Sequence, residues 1–402
     1  MRILHTVEFY APSVGGAQEV VKQISERLVM RDHVVTVATT KLTARDTQTL
    51  NGVRIEEFAI SRSAGGGFTG ETDRYRRFLL DGDFDVMLNY AAQQWATDLV
   101  FPVLERLPCR KVLAPCGFSG LYAQANTDYF AKMPSLMHRY DHLVFHSNTY
   151  RDIEFARAHG LIDYSVIPNG ASEEEFAQID PTFRERYHIP QNVPLLITVG
   201  SHTSQKGHRL VLEAFRHVHI GRTVLIIIGN VIGNATAVTS CLPDCKRQAL
   251  LTNVVSLGRK QVFLLNPPRA DVVAAYHAAD LFVFGSPLEC SPLVLFEAMA
   301  SRTPYVTTGC GNAAEITRWC QGGVVLPTRQ RNNGMVDASA ESMARAIEDL
   351  VGNPGKRNLL AEAGYEAWRR RFTWEKIVGC YEQLYRELCE RPSADTLRRH
   401  GV

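Results

Sequence analysis

Short apolar runs, rich in β-branched residues, alternate with longer segments of helical periodicity along most of this chain. In its first part, the apolar runs lie at residues 2–7, 33–40, 53–60, 85–90, 111–116 and 143–147. Near-continuous hydrophobic runs of this length are typical of parallel strands that helices cover on both faces. The pattern therefore predicts an α/β fold with a parallel, Rossmann-like sheet.

Turn residues interrupt the alternation before the middle of the chain, at Pro168, Asn169 and Gly170. The apolar runs resume at residues 195–199, 224–228, 254–257, 281–284, 305–307 and 324–326. We therefore predict two Rossmann-like domains, at residues 1–170 and 171–374, which suits a chain of 402 residues. Ligands of open α/β sheets bind beyond the carboxyl ends of the strands, so a cleft between the domains is the expected site.

A last helical pattern begins near residue 374. Its apolar positions lie on one face of a helix and are Trp374, Ile377, Val378, Tyr381 and Leu384. A stripe of this kind usually packs against a core, and we expect the same for this helix.

Two glutamates stand eight positions apart in the segment ECSPLVLFE, which follows the apolar run at residues 281–284. Ser291 followed by Pro292 predicts an N-cap with proline at the first helical position. The free N–H groups of such a helix suit an anion, and the carboxylates of Glu289 and Glu297 can accept hydrogen bonds from hydroxyls. The segment thus fits a phosphate flanked by two sugars. On two carboxylates alone, a helix-decorating Glu297 and a solvated Glu289 are the simpler interpretation.

The surrounding sequence favours the ligand site. ECSPLVLFE continues into the small-residue helix pattern AMASRTP, and TPYVTTGCGNAAEI leads into GGVVLP. Together these segments resemble the donor site of retaining GT-B glycosyltransferases of family four, the glycosyl transferases group 1. The resemblance implies two Rossmann-like domains facing across a cleft, with the final helix at residues 375–402 crossing back to the first domain.

The same resemblance implies roles for individual residues. Glu289 would hold the transferred sugar, and Glu297 would hold the ribose of the nucleotide. Backbone amides of the segment between them, with Cys290, Ser291 and Leu293, would approach the sugar and the phosphates.

Gly15 and Gly16 follow the first apolar run and precede a helical pattern, so the backbone there can approach a ligand and offer N–H groups to phosphate. A Gly-Gly pair alone is more often a turn. Members of the family carry a Gly-Gly loop here against the donor diphosphate and the acceptor, so the resemblance implies a donor-binding role. The chain has neither G-x-G-x-x-G after a strand nor G-x-x-x-x-G-K-[ST], which counts against a dinucleotide dehydrogenase and a P-loop nucleotidase.

The loop after residues 195–199 carries Lys206 before a glycine and a helical pattern, and this lysine is our candidate for neutralising a leaving diphosphate. The alternative is a solvated lysine. Members of the family usually have arginine where this chain has Ser201, and we still predict that Ser201 contacts the donor. Many members have histidine where this chain has Cys116. Further candidates for a cation or proton donor, each equally plausible as a surface residue, are His202, His208, Arg259 and Lys260.

Net charge and cysteine content indicate which partners and which cellular compartment to expect. A formal charge of +2 argues against nucleic acid as the main partner. Nine scattered cysteines, an odd number, indicate reduced thiols in a cytosolic protein without a disulfide framework. Cys241 and Cys245 are the closest pair, but this spacing is a weak metal signal and ordinary thiols are expected, so we predict no metal ligands.

The sequence shows neither a signal peptide nor an apolar run of the roughly 18 residues that cross a bilayer. We expect a cytoplasmic protein. The segment RYRRFLL, residues 74–80, sets three arginines beside aromatic and aliphatic residues and is a candidate for contact with the inner face of the membrane. A helix with a solvated basic face is the more common meaning of such a run.

These observations predict transfer of a sugar, with retention, from a UDP- or GDP-sugar to a hydroxyl of a glycan or lipid-linked glycan in glycan or surface polysaccharide synthesis. Glu289 and Lys206 are the predicted catalytic residues, and no cofactor or metal is expected. The diphosphate oxygen would take the acceptor's proton, and a double displacement through Glu289 is the mechanistic alternative. Two other classes stay open: a GT-B sugar-nucleotide epimerase or hydrolase, and a non-catalytic nucleotide-sugar binder.

Overall fold

The computed structural model describes residues 1–63, 67–231 and 240–391. The chain forms two compact units, one comprising Met1–Asn169 together with the chain from Trp374 onward, the other Gly170–Thr373. The predicted boundaries, at residues 170/171 and 374/375, lie one residue from this division.

The first unit is an α/β unit around one parallel sheet. Its strands are β1 (Arg2–Thr6), β2 (Val34–Thr40), β3 (Thr49–Leu50), β4 (Val53–Phe58), β5 (Ile60–Arg62), β6 (Phe68–Gly70), β7 (Val86–Tyr90), β8 (Arg110–Ala114), β9 (His142–Phe145) and β10 (Tyr164–Val166). Its helices before the boundary are α1 (Gly16–Met30), α2 (Thr72–Asp81), α3 (Trp95–Asp98), α4 (Thr127–Met137) and α5 (Arg151–Ala158). Short 3₁₀ helices span Phe101–Arg106 and Gln124–Asn126.

Eight of the described strands of this unit form a sheet in the order β10-β9-β8-β7-β1-β2-β4-β3. All pairs are parallel except β3 with β4. The six predicted apolar runs correspond to β1, β2, β4, β7, β8 and β9, and their buried side chains explain the continuous hydrophobic pattern. Because β1 lies between β2 and β7, the loops after β1 and β7 leave the sheet at its topological switch point.

The C-terminal helix, Trp374–Glu390, belongs to the first unit and packs against α1. All five predicted apolar positions are buried, so this prediction is confirmed. Charged side chains complete the contact: Arg31 donates to Glu382 and Glu375, each at 2.6 Å, and His33 Nε2 lies 3.0 Å from Glu382. The helix is therefore held by an apolar face and by an ion-pair network along one side.

Glu382 is the centre of that network. Burial alone would raise the pKa of Glu382, but hydrogen bonds from Arg386, His33 and Arg31 outweigh burial and lower the pKa from 4.5 to about 2. A carboxylate whose pKa is lower in the folded state stabilises the fold above its unfolded pKa. That stabilisation disappears as the pH falls from 4.5 towards about 2.

The second unit contains the strands β11 (Leu195–Val199), β12 (Thr223–Ile228), β13 (Lys260–Leu265), β14 (Leu281–Phe284), β15 (Tyr305–Thr307), β16 (Gly323–Val325), β17 (Thr328–Gln330) and β18 (Val336–Ala338). Its helices are α6 (Glu173–Phe176), α7 (Phe183–Arg186), α8 (His208–His217), α9 (Leu242–Val255), α10 (Arg269–Ala278), α11 (Leu293–Ala300), α12 (Ala313–Cys320), α13 (Ala340–Gly352) and α14 (Pro354–Ala367). A 3₁₀ turn spans Ser204–Lys206, and a π-helical turn spans Trp368–Phe372.

Six parallel strands of the described second unit form a sheet in the order β13-β12-β11-β14-β15-β16. Alternate strand residues face two separate hydrophobic cores. Ile197 and Phe282 pack in one core with α10 and α11, whereas Leu196 and Val283 pack in the other with α8 and α13. Both faces are covered by helices, and the predicted α/β class with two Rossmann-like halves is confirmed.

One predicted strand is wrong. Residues 254–257 form the end of α9 and the following turn, and the strand of this region is β13, Lys260–Leu265. Val254, Val255 and Leu257 are exposed, at 63%, 79% and 90%, so this apolar run does not enter the core. A short apolar run does not distinguish a buried strand from the last turn of a helix, which is the reason for the error.

Replacing Glu382 by glutamine should destabilise the fold near neutral pH by about 1–2 kcal/mol, since the pair is partly exposed and screened by solvent. The difference from the unmodified protein should shrink as the pH is lowered from about 4.5 towards about 2. Urea titrations at several pH values measure it. Glu390→Gln, at an exposed position of the same helix, is the control. An equal loss of stability at acid and neutral pH would contradict the ion-pair explanation.

Candidate functional site

The order of the second sheet places β11 beside β14, although two strands and their helices separate them in the chain. The loops after these two strands, residues 200–207 and 285–292, therefore leave the sheet side by side at its carboxyl edge. This is the topological switch point of the unit, where open α/β sheets bind their ligands. Both loops carry predicted site residues.

The two loops touch through their backbones. Gly207 has φ +66°, and a Cβ atom at this position would lie 1.8 Å from the carbonyl oxygen of Gly285. Ser286 Oγ lies 2.6 Å from the carbonyl oxygen of Gln205, which fixes the same contact by a hydrogen bond. Only glycine combines this backbone conformation with so close an approach.

A third loop, which follows β15, packs against the 285–292 loop. Gly311 has φ +56°, and its added Cβ would lie 2.5 Å from the carbonyl oxygen of Cys290. The Asn312 N–H donates to that carbonyl at 2.9 Å. The backbone around Glu289 is therefore held on two sides, by the loop after β11 and by the loop before α12.

The predicted catalytic residues Lys206 and Glu289 meet in this arrangement. Lys206 Nζ donates to Glu289 Oε1 at 2.7 Å, and Ser286 Oγ lies 3.1 Å from the same oxygen. The side chain of Glu289 is 15% exposed and that of Lys206 is 31% exposed. The ion pair is thus mostly buried but still reachable from solvent. A bound anion could replace Glu289 as a partner of Lys206, and a bound hydroxyl could donate to Glu289 in place of Lys206.

The helix α11 begins at Leu293 with Pro292 as its N-cap residue, so the predicted cap at Ser291 is wrong by one residue. Pro292 has ψ 113°, outside the helical range, which is why the helix starts one residue later than expected. Glu297 lies in the second turn of the helix. Glu297 is buried, and its Oε1 lies 2.6 Å from a guanidinium nitrogen of Arg269.

Arg269 was missed by sequence analysis. It is the first residue of α10 and also donates to Glu175, at 2.8 and 3.2 Å. Burial opposes the charge on Arg269, but the two carboxylates outweigh burial and raise its pKa. This arginine orients the Glu297 carboxylate, and no spacing or motif in the sequence indicates it.

The other predicted donor-binding positions of this unit lie on the same loops. Ser201 is half-buried and accepts a hydrogen bond from the Thr203 N–H at 2.7 Å through its carbonyl oxygen. Cys290 is half-buried, Ser291 is buried and Leu293 is the first residue of α11. Their binding roles stay predictions.

Arg259 and Lys260 lie at the amino end of β13, away from the carboxyl edge that carries Lys206. Lys260 Nζ donates to the carbonyl oxygen of Arg216 and lies over the Phe215 ring. The structure therefore does not bring these two candidates to the site. The misplaced strand at residues 254–257 is the cause, because it shifted their expected position along the sheet.

The remaining candidates, His202 and His208, come together with Cys241 and Cys245. The Cys241 Sγ atom lies 3.7 Å from His202 Nδ1, 3.6 Å from His208 Nδ1 and 3.6 Å from Cys245 Sγ. A hydrogen bond from Cys245 lowers the pKa of Cys241 to about 3, with burial opposing and the two histidines adding to the shift. The sequence predicted that Cys241 and Cys245 are ordinary thiols, and it did not indicate that two histidines lie beside them.

Gly15 and Gly16 lie in the first unit, between β1 and α1, and Gly16 is the first residue of that helix. Gly15 is extended, with φ 178°, so its conformation alone does not require glycine. A Cβ atom there would lie 2.5 Å from the Gln18 side chain. Their role at the donor stays a prediction.

Cys116, at the position where the resemblance implies histidine, has φ +59° at the start of the loop after β8. Its Sγ lies 3.9 Å from the Tyr90 hydroxyl, which lies 3.0 Å from His146 Nε2. Burial opposes the charge on His146, but Cys116 raises its pKa. Burial raises the pKa of Asp152, which accepts a hydrogen bond from the Gly117 N–H, to about 6. His146 follows β9, so a buried histidine does lie at this edge of the first sheet.

The segment at residues 74–80 lies within α2. Tyr75 and Leu79 are buried, and Arg74 bonds Glu56 and the Glu57 carbonyl. No helix in the described part of the chain is both long and apolar enough to cross a membrane. Membrane contact by this segment stays a prediction.

No disulfide joins the nine cysteines, all of which lie in the described ranges. Cys109 and Cys320 are buried, and Cys380 and Cys389 are exposed. Cys310 is buried in the loop after β15. Burial, followed by the Glu289 carboxylate, raises the pKa of Cys310 to about 12. This thiol therefore stays protonated beside the candidate site.

Residues 180–367 match the family model described as Glycosyl transferases group 1. The matched segment lies within the second unit and contains Lys206, Glu289, Glu297 and Arg269. The predicted resemblance to the glycosyl transferases group 1 is therefore confirmed over these residues, and retention stays a prediction.

Curated relatives carry glycosyltransferase names. D-inositol 3-phosphate glycosyltransferase of Xylanimonas cellulosilytica is 26% identical over 238 residues, covering 57% of this chain and 52% of the relative. The lipopolysaccharide core biosynthesis glycosyltransferase LpsE of Rhizobium meliloti is 28% identical over 221 residues, covering 54% and 56%. The chain spans about half the length of these curated relatives.

Solved structures resemble nearly the whole chain. Sucrose-phosphate synthase from Thermosynechococcus elongatus has a TM-score of 0.77 at 18% identity and covers 96% of this chain and 98% of that chain. HepE from Anabaena in complex with UDP has a TM-score of 0.75 at 16% identity and covers 96% and 100%. At these identities the likeness shows the fold, and the predicted GT-B fold is confirmed.

Replacing Gly207 by alanine should destabilise the second unit by at least about 2 kcal/mol, because the added Cβ meets Gly285 and the left-handed conformation is strained. Gly352→Ala is the matched control, since nothing lies within 4 Å of a Cβ there and the change should be within about 1 kcal/mol of neutral. Thermal and urea unfolding measure both. Equal stabilities of the two variants would contradict the loop contact.

Proposed function

We propose that this chain, whose residues 180–367 match the glycosyl transferases group 1, transfers a sugar from a nucleotide-sugar donor to an acceptor hydroxyl with retention at the anomeric carbon. The observation that carries the proposal is the ion pair of Lys206 and Glu289 at the switch point of the second sheet. Lys206 can bind a diphosphate and Glu289 can accept hydrogen bonds from sugar hydroxyls. The two side chains are in contact, on loops held together by close backbone contacts.

The chemistry follows from these two groups and the neighbouring helix. The bond between the anomeric carbon and the diphosphate oxygen breaks, and the acceptor oxygen forms a bond on the same face of the sugar. The acceptor's proton passes to the departing diphosphate oxygen. Lys206 and the first N–H groups of α11, which begins at Leu293, stabilise the negative charge that develops on the diphosphate. No metal or cofactor takes part in this scheme.

Glu289 and Glu297 bind different parts of the nucleotide-sugar donor. Glu289, beside Lys206, accepts hydrogen bonds from hydroxyls of the transferred sugar. Glu297, oriented by Arg269, accepts hydrogen bonds from the ribose. Double displacement through Glu289 is the alternative mechanism, and the pairing of Glu289 with Lys206 disfavours it because a nearby cation weakens a carboxylate nucleophile.

The donor is a UDP- or GDP-sugar in this proposal. HepE complexes with UDP and with UDP-glucose support a uridine nucleotide, since that protein shares the fold. A glycan or lipid-linked glycan acceptor, in glycan or surface polysaccharide synthesis, is supported by the name of the Rhizobium meliloti relative, which acts in lipopolysaccharide core biosynthesis. We place the protein in the cytoplasm, at or near the inner face of the membrane.

A panel of UDP-, GDP-, ADP- and TDP-sugars, each incubated with and without lipid-linked glycans, tests the proposal. Nucleotide release that requires the acceptor supports a transferase, and the anomeric configuration of the product tests retention. Release or epimerisation without acceptor would indicate an epimerase or hydrolase. Binding without turnover would indicate a nucleotide-sugar binder, and either of these two results would overturn the proposal.

Lys206→Ala should lower turnover by roughly a hundredfold or more, comparable to the loss of an oxyanion-hole donor. Ser201 offers a neutral hydroxyl where the resemblance implies arginine, so no second cation at that position takes over. Lys356→Ala, at an exposed lysine that pairs with Asp349, is the control and should leave turnover unchanged.

Ser201→Arg in the Lys206→Ala background should restore part of the lost turnover, and comparison with each single variant gives the coupling between the two positions. Nearly full activity of Lys206→Ala alone would show that another group neutralises the diphosphate.

Glu297→Ala should weaken binding of the nucleoside diphosphate at least about tenfold, since charge-assisted hydrogen bonds contribute roughly 1.5–3 kcal/mol each. Arg269 keeps Glu175 as a partner, so the fold should survive the change. Glu289→Ala should instead depress turnover and leave nucleotide affinity nearly intact. Glu362→Ala, which also removes a carboxylate paired with an arginine, is the control for calorimetric titration. Equal losses in both site variants would mean that the two roles are assigned wrongly.

A further inference from the structure

Four potential metal ligands converge beside the loop that carries Lys206. His202 lies in that loop after β11 and His208 is the first residue of α8, so they lie on either side of Lys206 in the chain. Cys241 is the N-cap residue of α9, and Cys245 lies in its first turn. Within the described ranges, this is the only group of three or more His, Cys, Asp or Glu side chains whose ligand atoms are close enough to share an ion.

The three distances from the Cys241 sulfur match those of a tetrahedral zinc site. With Zn–S bonds of about 2.3 Å and Zn–N bonds of about 2.0–2.1 Å, two sulfurs lie about 3.8 Å apart and a sulfur and a nitrogen about 3.6 Å apart. The Cys241 Sγ lies 3.6 Å from Cys245 Sγ, and 3.7 and 3.6 Å from the Nδ1 atoms of His202 and His208. All four ligand atoms lie within 4.8 Å of one another.

Burial makes an ordinary packing role a poor explanation of this geometry. His202, His208 and Cys245 are 2%, 1% and 1% exposed. The contacts that join the four side chains run through sulfur, a weak hydrogen-bonding atom. Weak contacts of this kind offset little of the cost of burying two imidazoles, whereas bonds to a metal ion are strong enough to stabilise folding.

The backbone around the cluster is arranged to hold it. Gly229 approaches Gly200 so closely that a Cβ there would lie 2.0 Å from the Gly200 carbonyl oxygen. The His202 N–H donates to the Asn230 carbonyl at 2.9 Å, and the Cys241 N–H donates to the His202 carbonyl at 3.2 Å. Thr203 and Ser240 form an antiparallel bridge. The histidine and cysteine ligands therefore face each other on backbone segments that are already joined.

We propose that His202, His208, Cys241 and Cys245 bind a zinc ion in a closed, structural site. Two thiolates and two imidazoles in a tetrahedron favour zinc over the hard cations that prefer oxygen ligands. Four protein ligands leave no open position for substrate, so the ion stabilises structure and takes no part in bond breaking. It fixes both ends of the loop at residues 202–208 to the first turn of α9.

Metal analysis of the full chain tests the site directly. Protein produced in zinc-supplemented medium should contain about one zinc ion per chain after exhaustive dialysis against a weak chelator. Replacement by Co²⁺ should give the visible bands of tetrahedral cobalt and the near-ultraviolet thiolate-to-cobalt band. Both readouts are independent of glycosyl transfer, so they hold or fail separately from the proposed function.

Cys241→Ser with Cys245→Ser, and His208→Gln alone, should each abolish the bound zinc and the cobalt spectrum. Cys380→Ser, at an exposed cysteine of the C-terminal helix, is the matched control and should keep both. A strong chelator should lower the melting temperature of the unmodified protein and of the control, and leave that of the double cysteine variant unchanged.

Circular dichroism of each variant shows whether the chain still folds, and the chelation experiment on the unmodified protein needs no variant. Folded protein without zinc and without a cobalt spectrum would overturn the proposal. So would a disulfide between Cys241 and Cys245 in freshly isolated protein, shown by mass spectrometry and thiol titration.

Discussion

Close backbone contact between loops is the constraint on which the candidate site depends. Three loops at the carboxyl edge of the second sheet approach one another where a side chain would not fit. Gly207 lies against Gly285, and Gly311 lies against Cys290. Both Gly207 and Gly311 have positive φ angles, a backbone conformation that favours glycine. These contacts bring Lys206, on a loop far away in sequence, within hydrogen-bond distance of Glu289. The rest of the site is built on this frame.

The packing of these loops and helices partly buries the charges of Glu289 and Glu297. Each candidate carboxylate that is taken out of water has a basic partner: Lys206 for Glu289 and Arg269 for Glu297. Removing one partner from a partly buried pair costs more than the pair itself contributes, because the remaining charge stays desolvated. The two pairs therefore hold the carboxylates in defined positions. In the proposed reaction, a diphosphate and sugar hydroxyls would replace part of the interaction between Lys206 and Glu289.

Hydrophobic patterning sufficed to predict both sheets, because parallel strands covered on two faces leave continuous apolar runs. It failed at residues 254–257, where an apolar run of strand length ends a helix and is exposed. The loop sequence indicated Lys206 and the resemblance to a family indicated Glu289, but neither indicated their contact. Arg269 carries no local signal, and His202 lies 39 positions from Cys241. Contacts of that range depend on the order of the strands, which local sequence does not specify.

A crystal structure of the chain with a bound UDP- or GDP-sugar tests the central claim most directly. We expect the diphosphate at the switch point of the second sheet, with Lys206 Nζ within about 3 Å of a phosphate oxygen, the transferred sugar on Glu289 and the ribose on Glu297. The central claim would be contradicted by a nucleotide bound elsewhere, or by a diphosphate out of reach of Lys206 while that lysine stays paired with Glu289.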